Sequence, residues 1–460
     1  MSDHPVNEPA QRTASGLRVA VIGAGWAGLA AAVHACRLGH QVTVFEASRT
    51  PGGRARRVEL PLPDGGKLEV DNGQHILIGA YTDTLGLMRA VGATPERLLR
   101  RMPLTLRYPD GRGLTLPRLP RPLDAAVGIL GFRGWRLGER LALLRAATAW
   151  RRAGFTCAPA LTVAQLCQPL PTAVQRDFIE PLCVAALNTP TTGASALVFL
   201  RVLHDALLGL PGSADLLLPC ADLGALWPEP ALRWLRTHGA EMQLGARARQ
   251  LEARAGHWQV DGQNFDRVLL ATSASAAARL ITDSVAAASP TEHQSATYAR
   301  VLQQWADQAA ALPHQAIATV YALAPASVRP WPAPMLALRS DGTQAPAQFV
   351  FDRSALLPPA APHHAGQRLL AFVVSAAQGE AAQLESGVIA QAKDQLGLVV
   401  TPLNTLIEKR ATFSCTPNVQ RPLMHLAPGL LACGDYIDGP YPATLEGAMR
   451  SGLQAANALR

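Results

Sequence analysis

The sequence predicts an α/β fold, in which a Rossmann-like dinucleotide-binding domain carries a substrate domain of mixed β-sheet and helices. Three observations predict it. Residues 18–46 read as a strand, a glycine-rich turn, a helix and a second strand. Near the C-terminus another strand and glycine turn run into a helix. Between them lie β-type runs separated by proline-rich stretches. A chain of 460 residues, 48% hydrophobic and only 17% charged, can bury a large core without disulfides and is not a disordered chain.

The first element, Arg18–Ile22, is a short apolar strand. It enters the turn Gly23, Ala24, Gly25, Trp26, Ala27, Gly28, which opens a helix with Leu29, Ala32, Val33 and Cys36 at helical spacing and Gly39 at its end. Gln41–Phe45 is the next strand, and it ends in Glu46. Each part has a physical task. Gly23 permits the tight turn, Gly25 lets backbone approach a pyrophosphate, and Gly28 lets the helix pack close to the strand. The helix N-terminus offers free N–H groups and a positive dipole end to phosphates. Glu46 can accept hydrogen bonds from both ribose hydroxyls, and its charge argues against a 2′-phosphate. Just beyond, Gly52, Gly53 and Arg54 can bring backbone and a guanidinium to the same phosphates.

Farther along, Thr82 or Asp83 is expected to cap a helix carrying Leu85, Met88 and Val91 and ended by Gly92. Residues 93–214 read mostly as helices and loops. On one continuous helix over 133–152, Arg133, Arg136, Arg140 and Arg151 would share a face beside a stripe of Leu137, Leu141 and Leu144, with Trp135 and Trp150 nearby. That pattern fits an interfacial helix or a surface helix packing its leucines inward. Ala196–Leu208 is apolar enough to be largely buried. Arg249–Glu252 and His257–Val260 form a hairpin-like pair, and Val268–Thr272 a further strand. Ile317–Leu323, Gln348–Asp352 and Arg368–Ser375 are expected to build the substrate-domain sheet, with Pro325–Pro334 and Pro358–Pro362 as loops. Gly429–Cys433 is a buried strand; Gly434 allows a close backbone approach, and Asp435 can hold ribose or ribityl hydroxyls. A helix starting near Thr444 and carrying Leu453 and Ala456 closes the chain.

The expected division is therefore discontinuous. Residues 17–85, 215–285 and 425–460 form the nucleotide-binding domain. Residues 86–214 are a helical part facing substrate or membrane, and 286–424 the substrate-domain sheet. Residues 1–16 are expected to be a disordered tail without a secretory signal. There is no second glycine fingerprint after a strand and no internal repeat.

The formal net charge is +8. Residues 97–152 hold 13 arginines against Asp110, Asp124 and Glu139, a local +10 that leaves the rest of the chain at −2. A concentrated basic segment without a recognition motif or aromatic platform argues against nucleic acid and for an anionic membrane surface as partner. Seven cysteines, an odd number with no C-x-x-C pair, argue against a disulfide framework, a structural metal site or a thioredoxin-type pair. With no run of 18 apolar residues, no spanning helix is expected. The expected location is cytoplasmic, peripheral on the inner face of the cytoplasmic membrane.

Gly23–Arg54 taken with Gly434–Gly452 resembles the flavin-containing amine oxidase and phytoene desaturase superfamily. The resemblance implies FAD, bound extended and held by both ends of the chain. It implies that residues 23–28, Gly53 and Arg54 meet the phosphates and Glu46 the ribose, while the backbone at Ala248 meets the adenine. Gly434 and Asp435 would lie on the ribityl side, and Ala443, Thr444 and Leu445 at the flavin ring. A narrower resemblance rests on Asp71–Tyr81 and Ala432–Glu446, which are similar to the squalene-associated desaturases, or hydroxysqualene dehydroxylases, within a likeness over about residues 17–460. It implies an isoprenoid substrate, hydroxysqualene reduced to squalene for hopanoid synthesis, and an electron donor that the sequence does not identify. A carotenoid desaturase or an amine oxidase is the near alternative. A prenyl-lipid carrier without redox chemistry is the remote one, disfavoured by Glu46, Arg54, Gly434 and Asp435.

Reductive dehydroxylation of that kind needs one general acid in an otherwise apolar tunnel. Asp71, His75, Asp438 and Tyr441 are the candidates, because their motifs are expected to face the flavin. Against this, Asp71 and His75 could be structural hydrogen-bonding residues, Tyr441 could shape a turn between Pro440 and Pro442, and Glu446 could support the flavin loop. His363 and His364 read as solvated, and the cysteines as core or incidental thiols.

Overall fold

The computed structural model describes residues 16–61, 65–287, 293–325, 331–357 and 367–459. The expected tail up to Ser15, most of the two proline-rich loops, and His363 and His364 lie outside the described residues.

Six strands form one sheet in the order Glu241–Leu244, Gln41–Glu46, Arg18–Ile22, Arg267–Leu270, Leu430–Ala432 and His425–Ala427. The first five are parallel and the last is antiparallel. Their apolar runs follow from burial on both faces: Val19, Ala20, Val21, Val44 and Leu269 are fully enclosed. From the central Arg18–Ile22 the chain crosses to one side through helix Trp26–Arg37, while Arg267–Leu270 pairs on the other side. Such a reversal opens a crevice beyond the carboxyl ends of the strands.

Helix Trp26–Arg37 is alanine-rich and almost wholly buried, and the final helix, Leu445–Asn457, lies along it. One glycine seats the first helix on its own turn and another lets the final helix lie against it. A Cβ on Gly28 would stand 1.9 Å from the Gly23 carbonyl oxygen, and one on Gly452 would stand 2.3 Å from that of Ala27. The expected cap on helix Thr82–Ala90 needs correction. Neither Thr82 nor Asp83 caps it; Tyr81 holds the N-cap position and its side chain makes no capping bond. The Glu446 carboxylate arrives instead from the final helix. It accepts the N–H groups of Asp83 at 3.1 Å and Thr84 at 3.0 Å, and the Thr84 hydroxyl at 2.7 Å. These are the donors a helix start leaves unsatisfied.

The second sheet has five antiparallel strands, in the order Met335–Ala337, Phe349–Asp352, Gln367–Ser375, His314–Pro325 and Thr401–Phe413. Thr401–Phe413 was not among the expected strands. It is an edge strand, and its Glu408-Lys409-Arg410 run hides the alternation. Period-2 alternation sorts the sheet's two faces. Ala318, Val320, Leu370, Phe372 and Val374 pack with Leu384 and Val388 of helix Ala381–Gln391, whereas Tyr321, Phe349, Phe351, Ala371 and Val373 face the other way.

Three further expectations are revised. The helix predicted over 133–152 begins only at Leu137, because Gly134 takes φ +94° and Arg136 becomes the N-cap, its N–H donating to Glu139. Arg133 and Arg136 therefore precede the helix, and Leu143, not the Leu137/Leu141/Leu144 stripe, is its buried residue. The hairpin pairs from Leu251 rather than Arg249, since Asp261 takes the N–H groups of Arg249 and Gln250. Residues 93–214 also contain short strands at Leu99–Met102, Thr105–Arg107 and Gly113–Thr115. Among the described residues no helix is long and apolar enough to cross a membrane.

The glycine contacts carry a stability prediction. Gly452→Ala is expected to destabilise the fold by about 1–3 kcal/mol through overpacking. Gly86→Ala, inside helix Thr82–Ala90 where nothing lies within 4 Å of the added Cβ, is expected to stabilise by about 0.5–1 kcal/mol. Urea midpoints would check the pair, and an unchanged midpoint for Gly452→Ala would refute the close contact.

Candidate active site beyond the parallel strands

A cavity of about 850 Å³ occupies the crevice, toward the upper end of the ~300–1,000 Å³ usual for ligand sites. Its floor is the carboxyl ends of the parallel strands, represented by Ile22, Glu46, Ala271 and Gly434. Helix Trp26–Arg37 points its N-terminus at it. Its N-cap, Gly25, has no side chain, and the first intrahelical bond is from Leu29 N–H to the Gly25 carbonyl, so the N–H groups before it are not used within the helix. A Cβ on Gly25 would meet only the Gly53 Cα, 4.0 Å away; the space it would occupy is cavity. Gly53 sits at φ +61° with its own Cβ position 3.3 Å from the Gly25 Cα. The two glycine segments are tied together: Gly52 N–H donates to the Ala24 carbonyl at 2.8 Å, and Trp26 Nε1–H donates to the Ala55 carbonyl at 2.9 Å. The product is a cradle of bare backbone.

Around it stand charged groups. Glu46 accepts the N–H groups of Ala24 and Ser48, both at 2.7 Å, one on each carboxylate oxygen. A carboxylate offers roughly four acceptor sites, so each oxygen keeps capacity for a hydroxyl. Arg54 donates to Asp435 at 2.5 Å and to the Ala411 carbonyl at 2.6 Å. Burial works against the guanidinium charge, but the adjacent Asp435 carboxylate raises its pKa above the ordinary value. Ala248 lines the cavity beyond Glu46, on the segment that begins with Ala246 N–H donating to the Glu46 carbonyl. At the other end Ala443, Thr444 and Leu445 line it, where Thr444 caps the final helix by accepting Gly447 N–H at 3.0 Å. Ala443 sits there at φ +57°, a left-handed conformation that a non-glycine residue adopts at a cost. Gln74 Oε1, also in the wall, is buried without a hydrogen-bond partner among the described residues.

The remaining wall is apolar. Ile317, Phe349, Phe351, Val373 and Leu406 from the five-stranded sheet line it together with Ile76 and Leu187. The register that sets Ile317 opposite Glu408 places Glu408 in the same wall. Asn72 Nδ2 bridges Glu408 at 3.3 Å and the Arg54 carbonyl at 3.0 Å. Asn188, left-handed at φ +46°, accepts Ala376 N–H at 2.7 Å and donates to Thr412 Oγ1 at 3.0 Å.

Of the four candidate acids, His75 alone lines the cavity. Its Nδ1 lies 2.9 Å from the Gly73 carbonyl, and burial lowers its pKa. The ring is therefore neutral near pH 7, with the proton on Nδ1 and Nε2 left as an acceptor. The other three need correction. Asp71 lies outside the wall: its Oδ1 accepts Leu223 N–H at 2.7 Å, its Oδ2 is 3.6 Å from Arg353, and its carbonyl accepts the Tyr321 hydroxyl at 2.9 Å. Burial raises its pKa to about 6 against the opposing pull of Arg353. Asp438 is exposed and paired with Arg421 at 3.0 Å. Tyr441 turns its ring under the guanidinium groups of Arg201 and Arg450, 5.7 and 5.2 Å from its centroid, and does not line the cavity. Glu446 is spent on the helix it caps. Sequence reasoning did not single out Asn72, Gln74, Asn188 or Glu408. Asn72 and Gln74 flank His75 inside a recognised motif, while Glu408 needed recognition of its strand.

Bare backbone at a helix N-terminus, a carboxylate with spare acceptor capacity and a half-buried Arg–Asp pair suit an extended dinucleotide, and the strained loop at the final helix brings a second N-terminus to it. The fold and site define an FAD-dependent oxidoreductase. The chain belongs to the family of flavin-containing amine oxidoreductases, whose family model matches residues 26–460. It is 25% identical to a hydroxysqualene dehydroxylase of Zymomonas mobilis and 26% to one of Sinorhizobium fredii, each alignment covering 95% of this chain and 97% of the relative. A zeta-carotene desaturase of Synechocystis is 34% identical over 96 residues, 21% of this chain and 19% of that one. An oxidoreductase from Methanosarcina mazei shares the fold, with a TM-score of 0.67 at 16% identity over 96% of this chain and 100% of that one.

Two outcomes follow. Arg54→Ala removes a charged hydrogen-bonding group worth about 1.5–3 kcal/mol and should weaken FAD retention about 10- to 100-fold, read by flavin absorbance after dialysis. Asp71 keeps its proton to about pH 6 in the native state but releases it near 3.8 when unfolded. The native state binds the extra proton in that window, so this group's contribution to stability falls as pH rises from about 4 to 6. Asp71→Asn should narrow the difference between urea midpoints at the two ends of the window; an unaltered difference would contradict the assignment.

Proposed function

We propose that this chain is a reductive dehydroxylase of a long isoprenoid alcohol, converting hydroxysqualene into squalene. The observation that carries the reading is the apolar chamber between the five-stranded sheet and the nucleotide cradle, with Glu408 as the sheet's one acid on that wall. Full-length likeness to hydroxysqualene dehydroxylases supports the choice of substrate.

FAD, when bound and reduced, supplies hydride. The chain's own residues do the rest. Ile317, Phe349, Phe351, Val373 and Leu406 hold a hydrocarbon chain and keep water from an allylic cation. Glu408, in its protonated form, gives a proton to the hydroxyl that leaves as water, and Asn72, fixed to the Arg54 carbonyl, orients it. His75, neutral at its cavity nitrogen, accepts a hydrogen bond from the substrate hydroxyl rather than donating one. The balance is one alcohol, one hydride and one proton consumed, and one hydrocarbon with its double bonds unchanged in number and one water formed.

Under anaerobic conditions, chemically reduced protein mixed with hydroxysqualene should reoxidise its flavin while squalene appears by mass spectrometry. Reoxidation only with a polyene or an imine would move the assignment to a desaturase or an amine oxidase. Glu408→Gln should lower kcat about 10²–10⁴-fold, as loss of a general acid does, with the flavin spectrum unchanged. His75→Gln should act chiefly on KM. Full turnover by Glu408→Gln would overturn its role.

A further inference from the structure

Helix Leu123–Leu130 has the sequence LDAAVGIL, apolar around its whole circumference except for Asp124. A helix of that kind is normally enclosed on all sides. Here one side is enclosed. Asp124, Gly128 and Ile129 are buried, and Gly128 packs so closely that a Cβ would lie 2.4 Å from Leu116. The opposite side carries Leu123, Val127 and Leu130 at i, i+4 and i+7, and these are 55%, 44% and 41% exposed. Leu119 and Leu137, at the two ends of the segment, are 42% and 63% exposed. Five of the eleven large hydrophobic residues exposed among the described residues thus fall within 19 positions. Scattered exposed leucines need no explanation, but a contiguous set does.

The charges around it are chiefly basic. Arg118, Arg133 and Arg136 flank the helix, are exposed, and take part in none of the ion pairs found among the described residues. The carboxylate nearest in sequence, Asp124, is buried and turned to Arg121 at 3.7 Å. Glu139 accepts the Arg136 N–H at 2.6 Å and offsets that end of the rim in part, while Arg118 and Arg133 have no carboxylate partner among the described residues.

We propose that this face, the outward side of helix Leu123–Leu130 with its arginine rim, docks the protein on an anionic lipid bilayer. Leucine and valine side chains at helical spacing enter the acyl boundary while arginines at both ends meet the headgroups. A protein partner would satisfy the apolar stripe but would need its own acidic ring to match the arginines. A bilayer presents both chemistries at once and without register. The surface lies within the basic segment 97–152 expected to meet a membrane, but on the helix before the one expected over 133–152. That helix starts too late to carry Arg133 and Arg136, and they instead extend the rim of the preceding helix. The inference does not depend on which substrate the cavity takes.

The test uses the full FAD-loaded chain and two kinds of vesicle, phosphatidylcholine alone and phosphatidylcholine mixed with phosphatidylglycerol. Wild type should co-sediment with the mixed vesicles, and added salt should weaken the binding. The triple variant Leu123→Gln, Val127→Gln, Leu130→Gln should lose binding about tenfold or more while its flavin spectrum and melting temperature stay as in wild type. The variant Arg118→Gln, Arg133→Gln, Arg136→Gln should lose the preference for anionic vesicles, also by about tenfold or more. Wild type that ignores both vesicles would overturn the proposal. So would apolar-face variants that bind like wild type, or a stripe whose substitution instead dissolves a dimer in analytical ultracentrifugation.

Discussion

The close contact between the first helix and the last is the constraint on which the site depends. Gly452 touches the backbone at Ala27, so Leu445–Asn457 lies flush on Trp26–Arg37. That contact delivers residues 434–445 to the same strand ends where Gly23 and Gly25 stand. It also carries Glu446 to the start of helix Thr82–Ala90. One approach, permitted by the absence of a Cβ, therefore places the two ends of the chain, hundreds of residues apart, and Tyr81 at the start of helix Thr82–Ala90 around one cavity. A cofactor held there binds both ends of the chain at once, so its binding free energy adds directly to the stability of the assembled domain.

The cavity is divided by polarity, and the division follows the elements that supply each half. Parallel strands and helix N-termini end in backbone donors, so the half they build is polar even before any side chain is counted. The antiparallel sheet has its hydrogen bonds satisfied within the ladder and shows the cavity only side chains, every second one of which is apolar. Asn72 stands on the seam, joining the Arg54 carbonyl on one side to Glu408 on the other. An acid side chain at the edge of an apolar wall is costly unless hydrogen-bonded, and Asn72 supplies that bond without adding a charge.

What the sequence disclosed and what it hid divide by range. The turn at Gly23–Gly28, the strands on either side of its helix and the final helix were legible because each depends on neighbours within a few residues. The cap of helix Thr82–Ala90 was not, because its acceptor, Glu446, comes from more than 360 positions away. Asp71 looked catalytic as an acid in a recognised motif. Its partners, Leu223 and Arg353, are likewise distant and turn it into a buried structural group. Tyr441 and Asp438 erred by direction: the loop passes the cavity, but Ala443 and Thr444 face it while the other two look to Arg201, Arg450 and Arg421. Strand Thr401–Phe413 escaped notice for a compositional reason, and Glu408 was lost with it.

For the proposed dehydroxylation, the proton inventory of the apolar wall bears on which group plays which role. Burial favours the neutral imidazole of His75, and the Gly73 carbonyl fixes its one proton on Nδ1. To protonate a leaving hydroxyl through Nε2, the ring would first have to become a cation in a wall of phenylalanine and leucine, with the Arg54 guanidinium also opposing it. A carboxyl group has the opposite asymmetry: in its protonated form it donates as a neutral group and gains its charge only as the substrate gains the opposite one. The donor and the developing cation then form an ion pair inside a low-dielectric chamber, where their attraction is strongest. An enzyme that must generate a carbocation beside hydrocarbon is thus better served by Glu408 as acid and His75 as acceptor than by the reverse.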